Sequence, residues 1–320
     1  MIFSKIIGVG SYLPEKFLTN DDLSKLVDTS DEWITTRTGI KKRHIIAAGE
    51  NTSDLATNAL KHALASSKLA CDDLDAIIVA TTTPDRIFPS TAVKVQHNIG
   101  MQTGFAFDIQ AVCAGFIYAL QVADSFLKSQ KAKRIAVIGV DAMSKIVNWH
   151  DRNTCVLFGD GSGCVILEQR VQEENNGILD IKLYSDGQYE EFLMVGDGAS
   201  EGSVPGKIQM NGSEVFRHAV TKMSDSIKTI LDKNSLTIEN IDWLLLHQAN
   251  YRIIKAVAER LEISLEKAVS TVHQHANTSA ASIPLALDAY IKEGRIKEGE
   301  LIALSAIGGG LTWGSALLKL

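Results

Sequence analysis

Three short segments, far apart in the chain, hold side chains that together can run thioester chemistry. Residues 111–116 carry Cys113, residues 247–250 carry His247, and residues 277–282 carry Asn277. A thiol can hold an acyl group as a thioester. An imidazole and a carboxamide can donate hydrogen bonds to an oxygen that gathers enolate charge.

Each of these residues also has a plainer reading. Cys113 follows the apolar run 105–111 and precedes a helical pattern with Phe116, Leu120, Ala123 and Leu127 on one face. That places the thiol on a strand-to-helix turn, where unpaired N–H groups and the positive end of the helix dipole favour a thiolate. Ala114 and Gly115 leave space for an acyl chain. An arbitrary cysteine is more often a small core filler, and Cys71, Cys155 and Cys164 are read that way. His247 follows the run 243–246, at a strand end where α/β sheets place ligand-binding residues, although a lone histidine there is more often structural. Asn277 could cap the helix that runs through Leu285, Leu287 and Ala289; if Thr278 or Ser279 caps it instead, the Asn277 carboxamide is free to face a site. Gly308, Gly309 and Gly310 make either a plain tight turn or a backbone that brings an N–H close to a ligand, as an oxyanion hole requires.

The elements that must position these groups belong to an α/β protein, because short β-branched runs alternate with helical patterns. Strands are predicted at 76–80, 135–140, 243–246 and 301–304, with the near-continuous apolar character of strands covered on both faces. The chain also reads as weakly duplicated. A helical segment at 54–67 leads to the strand at 76–80, and one at 214–233 leads to the strand at 243–246. Aligning Asp75 with Asp242 puts Cys113 at +38 and Asn277 at +35, similar places in two related halves. The polar stretch 172–177 is the expected divide, giving halves 1–173 and 174–320, and 196–206 reads as an exposed loop.

Bulk properties narrow the function classes. The chain has 320 residues, 45% hydrophobic and 22% charged, and its net charge of -6 argues against a general nucleic-acid binder. Its first residues lack a signal-peptide layout, so the thiols are expected to be reduced and cytoplasmic. No uncharged apolar run approaches the roughly 20 residues that span a bilayer. Cys-x-x-Cys and His-x-x-x-His patterns are absent, His273 and His275 are too close for the usual zinc spacings, and no metal is expected.

The chain resembles the β-ketoacyl-acyl carrier protein synthase III family, from residues 5–8 through 313–317. Beyond the three catalytic segments, the likeness is carried by residues 29–34, 37–40 and 158–161. The paired segments 247–250 and 277–282 are specific, because elongating condensing enzymes carry a second histidine and thiolases a second cysteine in place of the asparagine. The resemblance implies a thiolase-like fold: two pseudo-duplicated halves whose mixed sheets are layered between helices as α-β-α-β-α, usually in a homodimer.

It also implies an initiating condensation. Cys113 would take an acyl group, most simply acetyl, from an acyl-CoA, with the N–H groups of Cys113 and Gly309 as oxyanion hole. His247 and Asn277 would then hold the enolate formed as malonyl-acyl carrier protein loses carbon dioxide. Trp33 and Arg152 would sandwich the CoA adenine with Arg37 nearby, while Phe216 and Asn250 would line the pantetheine tunnel. Without the resemblance, a core tryptophan and surface ion pairs would be the ordinary readings of Trp33 and the arginines. Arg217, Gln248, Arg252 and Lys255 would receive the acidic carrier protein, although a solvated helix face is the commoner meaning of such charges. Phe88 of a neighbouring subunit would close the acyl pocket. No cofactor is implied, CoA and phosphopantetheine being parts of substrates, and neither a nucleic acid nor a membrane is an expected partner.

Three departures bear on these expectations. Ala276 and Asn153 stand where glycine is frequent in the family, and Ile307 where phenylalanine is common. Three rival functions stand beside this one: a related Cys-His-Asn condensing enzyme or acyltransferase of secondary metabolism with another primer, a silent partner subunit, and a cysteine hydrolase. The complete catalytic set argues against the silent subunit.

Overall fold

The computed structural model describes residues 2–171, 176–198, 200, 202 and 206–320. The chain opens with β1 (Ile2–Tyr12), the short β2 (Phe17–Thr19), α1 (Asn20–Ser24), α2 (Asp31–Thr38) and β3 (Lys42–His44). There follow α3 (Thr52–Ser67), β4 (Ala76–Ala80), α4 (Thr91–Ile99), β5 (Phe105–Ile109), α5 (Gly115–Lys128), β6 (Arg134–Ala142), α6 (Arg152–Cys155) and β7 (Asp160–Val171). A second series begins with β8 (Gly177–Ser185), β9 (Leu193–Val195), β10 (Ile208–Met210), α7 (Gly212–Lys233), β11 (Trp243–Leu246) and α8 (Tyr251–Arg260). It closes with α9 (Val272–His275), α10 (Ser282–Lys292), β12 (Leu301–Gly308) and β13 (Thr312–Lys319).

Two mixed sheets carry the duplication. The first has the order β1-β7-β6-β4-β5 and the second β8-β13-β12-β11. In the first, β7 is antiparallel to β1 and β6, while β4 is parallel to β6 and β5. The second repeats this pattern, β13 being antiparallel to β8 and β12, and β11 parallel to β12. Where the first sheet has β5, the second has a parallel bridge between Leu244 and Ala268. The divide expected at 173/174 lies outside the described residues, as does part of the loop expected at 196–206; β9 and β10 flank that loop as an antiparallel pair.

Side-chain alternation explains the layers, since successive strand residues point to opposite faces. Ala76, Ile78 and Ala80 face the central layer, where α5 and α10 lie between the sheets with Leu120 and Leu287 buried. Ile77 and Val79 face outward against Leu55 and Leu60 of α3. In the second sheet, Leu245 faces the central layer while Leu244 and Leu246 pack against Ile227 of α7 and Ile254 of α8. The architecture is therefore α-β-α-β-α.

Two glycines bring the segments of Cys113 and Asn277 against these sheets. A Cβ on Gly308 of β12 would stand 2.7 Å from the Cys113 nitrogen, and one on Gly139 of β6 would stand 2.2 Å from the Ala280 carbonyl oxygen. Each strand thus admits the backbone of the other half's pre-helix turn, so Cys113 and Asn277 converge from opposite sides of a pseudo-symmetric centre. A buried cation secures the wall of this centre. Arg43 is fully buried and donates to Leu18 O, Asn20 Oδ1 and Val156 O at 3.2, 2.8 and 3.0 Å. Burial pulls its guanidinium down to about 10, still well above neutral pH, so it remains charged.

Candidate active site

Cys113, His247 and Asn277 all face one cavity of about 220 Å³. They are 4, 3 and 6% exposed, and Leu157, Phe158, Met210, Val215 and Ile307 give the cavity a largely apolar lining. A thioester tail can therefore shed water along most of its length before meeting the polar groups.

Cys113 lies in the 3-10 turn Val112–Ala114, which runs directly into α5. The residue before it, Val112, has φ +48°, a strained conformation for a β-branched side chain. The N–H groups of Cys113 and Gly309 have no hydrogen-bond acceptor among the described residues and remain available to an oxyanion. The expectation of a depressed thiol pKa is corrected by burial, which pushes the Cys113 thiol up to about 12 despite a neighbouring Ser279 hydroxyl that acts the other way. Burial is the largest influence on the sulfur and outweighs the Ser279 hydroxyl, so the resting group is a neutral thiol.

His247 follows β11, and its N–H is held by the Ser305 carbonyl of β12 at 2.8 Å. Its Nδ1 lies 2.6 Å from Ser282 Oγ, the first residue of α10. The Ser282 hydroxyl also accepts the Gln248 N–H at 3.2 Å, an arrangement that leaves its own proton able to go to Nδ1. In that arrangement the imidazole proton sits on Nε2. Burial pulls the imidazole down to about 3, keeping the ring neutral, a donor rather than a cation.

The expected division of labour at Asn277 is also corrected. Neither Thr278 nor Ser279 caps the following 3-10 turn with its side chain. The Asn277 Oδ1 itself accepts the Ser279 N–H at 2.9 Å. This fixes the orientation of the amide, and with its oxygen occupied, the carboxamide has only N–H bonds left to offer the cavity. Asn250 repeats the device, its Oδ1 capping α8 through the Arg252 N–H at 2.8 Å while the residue lines the same cavity.

Trp33, Arg37, Phe216 and Arg252 line the cavity together with Asn153. Trp33 is placed by the Ser30 cap of α2, which accepts its N–H at 3.1 Å. The guanidinium carbons of Arg37 and Arg152 stand over the indole, 4.5 and 4.9 Å from its centroid. Arg152 itself is not among the lining residues; it also donates to the Asp28 carbonyl at 2.8 Å. On α8, Arg252 reaches over the Phe216 ring at 5.6 Å, and Lys255 is exposed with Glu259 3.7 Å away. Arg217 is exposed on α7 and pairs with Glu214.

Two other expected positions stand apart from the cavity. Gln248 is fully buried, donating to Leu246 O and Val269 O at 2.7 and 3.2 Å and accepting the Thr271 N–H at 2.8 Å. Its assignment to carrier docking is withdrawn, because the side chain braces the loop after β11 and offers nothing to the surface. Phe88 is 82% exposed and does not line the cavity of its own chain.

At Ala276 the backbone adopts φ 58°, ψ -161°, a region that essentially only glycine occupies without cost. The alanine has kept the glycine-like backbone that delivers Asn277, rather than shifting it. Sequence reasoning missed the roles of Ser282 and Ser305, and no local pattern announces either.

Family profiles described as 3-oxoacyl-[acyl-carrier-protein] synthase III and its C-terminal part match residues 107–187 and 231–320. The chain is 54% identical over 316 residues to the beta-ketoacyl-[acyl-carrier-protein] synthase III of Wolbachia pipientis wMel, with 98% of each chain covered. It is 52% identical over 317 residues to that of Ehrlichia canis, with 99% of each covered. Its fold is similar to the crystal structure of 3-oxoacyl-[acyl-carrier-protein] synthase III from Aquifex aeolicus, with a TM-score of 0.93, 49% identity, and coverage of 99% of this chain and 100% of that one. With a thiol, a neutral imidazole donor and an oriented carboxamide on one cavity, and relatives matched from end to end, the chain belongs to the β-ketoacyl-acyl carrier protein synthase III family.

Proposed function

We propose that the chain condenses an acyl-CoA primer, acetyl-CoA in the first instance, with malonyl-acyl carrier protein, releasing CoA and carbon dioxide and forming a 3-oxoacyl-acyl carrier protein. The observation that carries this reading is the meeting of Cys113, His247 and Asn277 on one narrow, largely apolar cavity. In the first half-reaction, Cys113 attacks the primer carbonyl, and the free N–H groups of Cys113 and Gly309 receive the oxyanion. CoA leaves and the primer stays on sulfur. Malonyl-acyl carrier protein then enters the same passage. As the carboxylate departs, charge flows to its thioester oxygen, where His247 Nε2–H and the Asn277 amide donate. A neutral histidine suits this work, since a charged ring would attract the malonyl carboxylate and hold it back. The carbanion attacks the acyl-Cys113 carbonyl and the thiolate is expelled.

Trp33, Arg37 and Arg152 supply stacking surface and positive charge for an adenine nucleotide at the mouth, and Phe216 and Asn250 border the pantetheine path. Arg217, Arg252 and Lys255 form the patch for an acidic carrier protein. The chemistry draws only on the chain's own groups and its two substrates, and requires no further cofactor. The halves 1–173 and 174–320 divide the labour, one bringing the nucleophile and the other the enolate donors. The reading also takes the protein to be a homodimer. Support comes from the unpaired edge of β5, with Phe105 38% exposed, and from Ile87 and Phe88, 81 and 82% exposed. Phe88 of the partner subunit would then reach the acyl pocket. A cytoplasmic setting fits four free cysteines and, among the described residues, no helix long and apolar enough to cross a membrane.

Intact-mass analysis after exposure to acetyl-CoA tests this reading. An acetyl group should appear on Cys113, survive in buffer, and vanish with formation of acetoacetyl-carrier when malonyl-acyl carrier protein is added. Rapid spontaneous loss would mark a hydrolase instead.

A further inference from the structure

Condensation sets a demand that neither enolate donor meets alone: the His247 imidazole and the Asn277 amide must both reach one thioester oxygen, and such donors act at about 2.7–3.1 Å. The two residues arrive along different segments. His247 follows β11 and is held by Ser305 of β12 and Ser282 of α10. Asn277 follows α9, a single helical turn capped at its start by Thr271. On its far side, the Leu157 carbonyl accepts the Asn277 N–H at 2.9 Å, and the Asn277 carbonyl accepts the Gly159 N–H at 3.0 Å. None of these anchors relates one donor to the other.

One buried side chain spans the two segments. Gln248 Nε2 donates to Leu246 O, beside His247, at 2.7 Å and to Val269 O, on the way to Asn277, at 3.2 Å. Its Oε1 accepts the Thr271 N–H at 2.8 Å. Thr271 in turn starts α9, its carbonyl accepting the N–H groups of Gln274 and His275, both at 3.0 Å. The amide therefore grips the turn that delivers Asn277 from the position next to His247. The Gln248 main-chain N–H goes to Ser282 Oγ, the same hydroxyl that meets His247 Nδ1. Among the described residues, no other side chain hydrogen-bonds both segments 246–248 and 269–271. Their main chains meet farther back, where the Val269 N–H reaches Leu244 O at 2.9 Å, while Tyr290 of α10 accepts the Ser270 N–H at 3.1 Å. A planar amide with two donors and an acceptor fixes several directions at once, so the separation of the segments is set by its geometry.

We propose that Gln248 is a positioning residue for the condensation: its side-chain amide sets the separation of His247 and Asn277 so that both donors meet the same enolate oxygen. It touches neither substrate nor the reacting atoms, and acts through the two residues it ties together. The proposal rests on the condensation reading, in which His247 and Asn277 share one oxygen. Cys113 lies outside the tie, since the turn before α5 and the backbone of Gly308 place it. Loosening the tie should therefore spare acetyl loading and slow the loss of carbon dioxide from malonyl-acyl carrier protein. A residue that served the fold alone would weaken both steps together.

The test uses the full-length enzyme and two single-turnover measurements: acetylation of Cys113 by acetyl-CoA, and decarboxylation of malonyl-acyl carrier protein by the acetylated enzyme. Gln248→Met keeps the length of the side chain and removes its three hydrogen bonds. It should acetylate Cys113 near the wild-type rate and decarboxylate ~10²-fold more slowly, with the half-saturating carrier concentration unchanged. Combined with Asn277→Ala, its loss should fall short of the product of the two single losses, because both variants spoil the same focus. Losses that multiply in full, an equal loss in both steps, or decarboxylation at the wild-type rate would each overturn the proposal. Because Gln248→Met leaves three buried polar groups unpaired, Gln248→Asn is the milder break. It keeps an amide but draws it back by ~1.5 Å, and should show the same split between the steps with a smaller loss. If neither variant acetylates Cys113, Gln248 serves the fold as a whole and the proposal fails. A wild-type enzyme that acetylates Cys113 but leaves malonyl-acyl carrier protein intact would instead remove the condensation reading itself.

Discussion

The Ser282 hydroxyl stands 2.6 Å from His247 Nδ1 while accepting the Gln248 N–H at 3.2 Å, an arrangement in which its own proton can be directed at the ring. The first residue of α10 can thereby set which nitrogen of a histidine in the preceding loop carries hydrogen. That choice matters because only Nε2–H points a donor toward the cavity.

Removing the hydroxyl should therefore damage the second half-reaction selectively. In Ser282→Ala the ring is free to take the other tautomer, or to turn, and decarboxylation of malonyl-carrier should fall ~10-fold or more, short of the ~10²–10³ expected for loss of an enolate donor itself, as in Asn277→Ala. Acetyl loading of Cys113 should stay near the wild-type rate. Single-turnover measurements of the two half-reactions check this, and an equal loss in both would contradict a tautomer-setting role.

Ala276 offers a stability prediction of the opposite sign. Its φ of 58° with ψ -161° belongs to a region where a Cβ is strained by about 1–3 kcal/mol. Ala276→Gly relieves that strain but loosens the unfolded chain, which costs about 0.4–1 kcal/mol. The net gain should be roughly 1 kcal/mol in chemical denaturation, with Asn277 keeping its place and condensation unchanged. A loss of stability would mean that the neighbouring loop has already adapted to alanine.

How much of this was legible beforehand follows from the range of each interaction. The strands predicted at 76–80 and 243–246 have those same bounds in the structure, because uninterrupted apolar runs buried on both faces announce themselves. The strand read at 301–304 continues to Gly308, since the buried Ser305 and the glycine demanded by Cys113 interrupt the apolar signal without interrupting the strand. Cys113, His247 and Asn277 were visible as residue types in distinctive segments. Their settings were not: Ser282 meets His247 across 35 residues and Ala280 meets Asp141 across 139, distances at which no periodicity operates. Gln248 misled because adjacency to His247 says nothing of direction; its side chain points into the loop scaffold, not to the surface.

The basic patch can be separated from the cavity by choosing Lys255. Its pairing with Glu259 is exposed on both sides and contributes little to stability. Unlike Arg252, it does not line the cavity. Lys255→Glu should raise the KM for malonyl-acyl carrier protein several-fold, more so at low salt, while leaving acetyl-CoA loading intact. The double variant with Arg252→Glu should act further on the carrier and also reach CoA binding. Equal effects of Lys255→Glu on both half-reactions would remove α8 from the docking surface.

The buried titratable groups predict an acid-side loss of stability to which His247 contributes strongly. Burial holds His247 down to about 3 and His275 to about 4, whereas unfolding returns both to the usual 6.5. Between these values the unfolded chain binds protons that the folded chain refuses, so stability is fully present above pH 6.5 and declines as pH falls. Asp160 works in reverse: burial raises its carboxyl to about 6, the folded form holds the extra proton, and acidification from 6 toward 4 relieves a cost. Taken by themselves, these two histidines against this one carboxyl leave about one net proton, or ~1.4 kcal/mol lost per pH unit between 6 and 5; His44, His218 and His273, also lowered by burial, add to the loss, and Asp108 and Asp141, raised by burial, oppose it. His247→Gln should flatten that slope by a similar amount, as read from denaturant midpoints at pH 7, 6 and 5. A variant retaining the full wild-type slope would show that His247 is not buried in its neutral form, and would weaken its role as a neutral enolate donor.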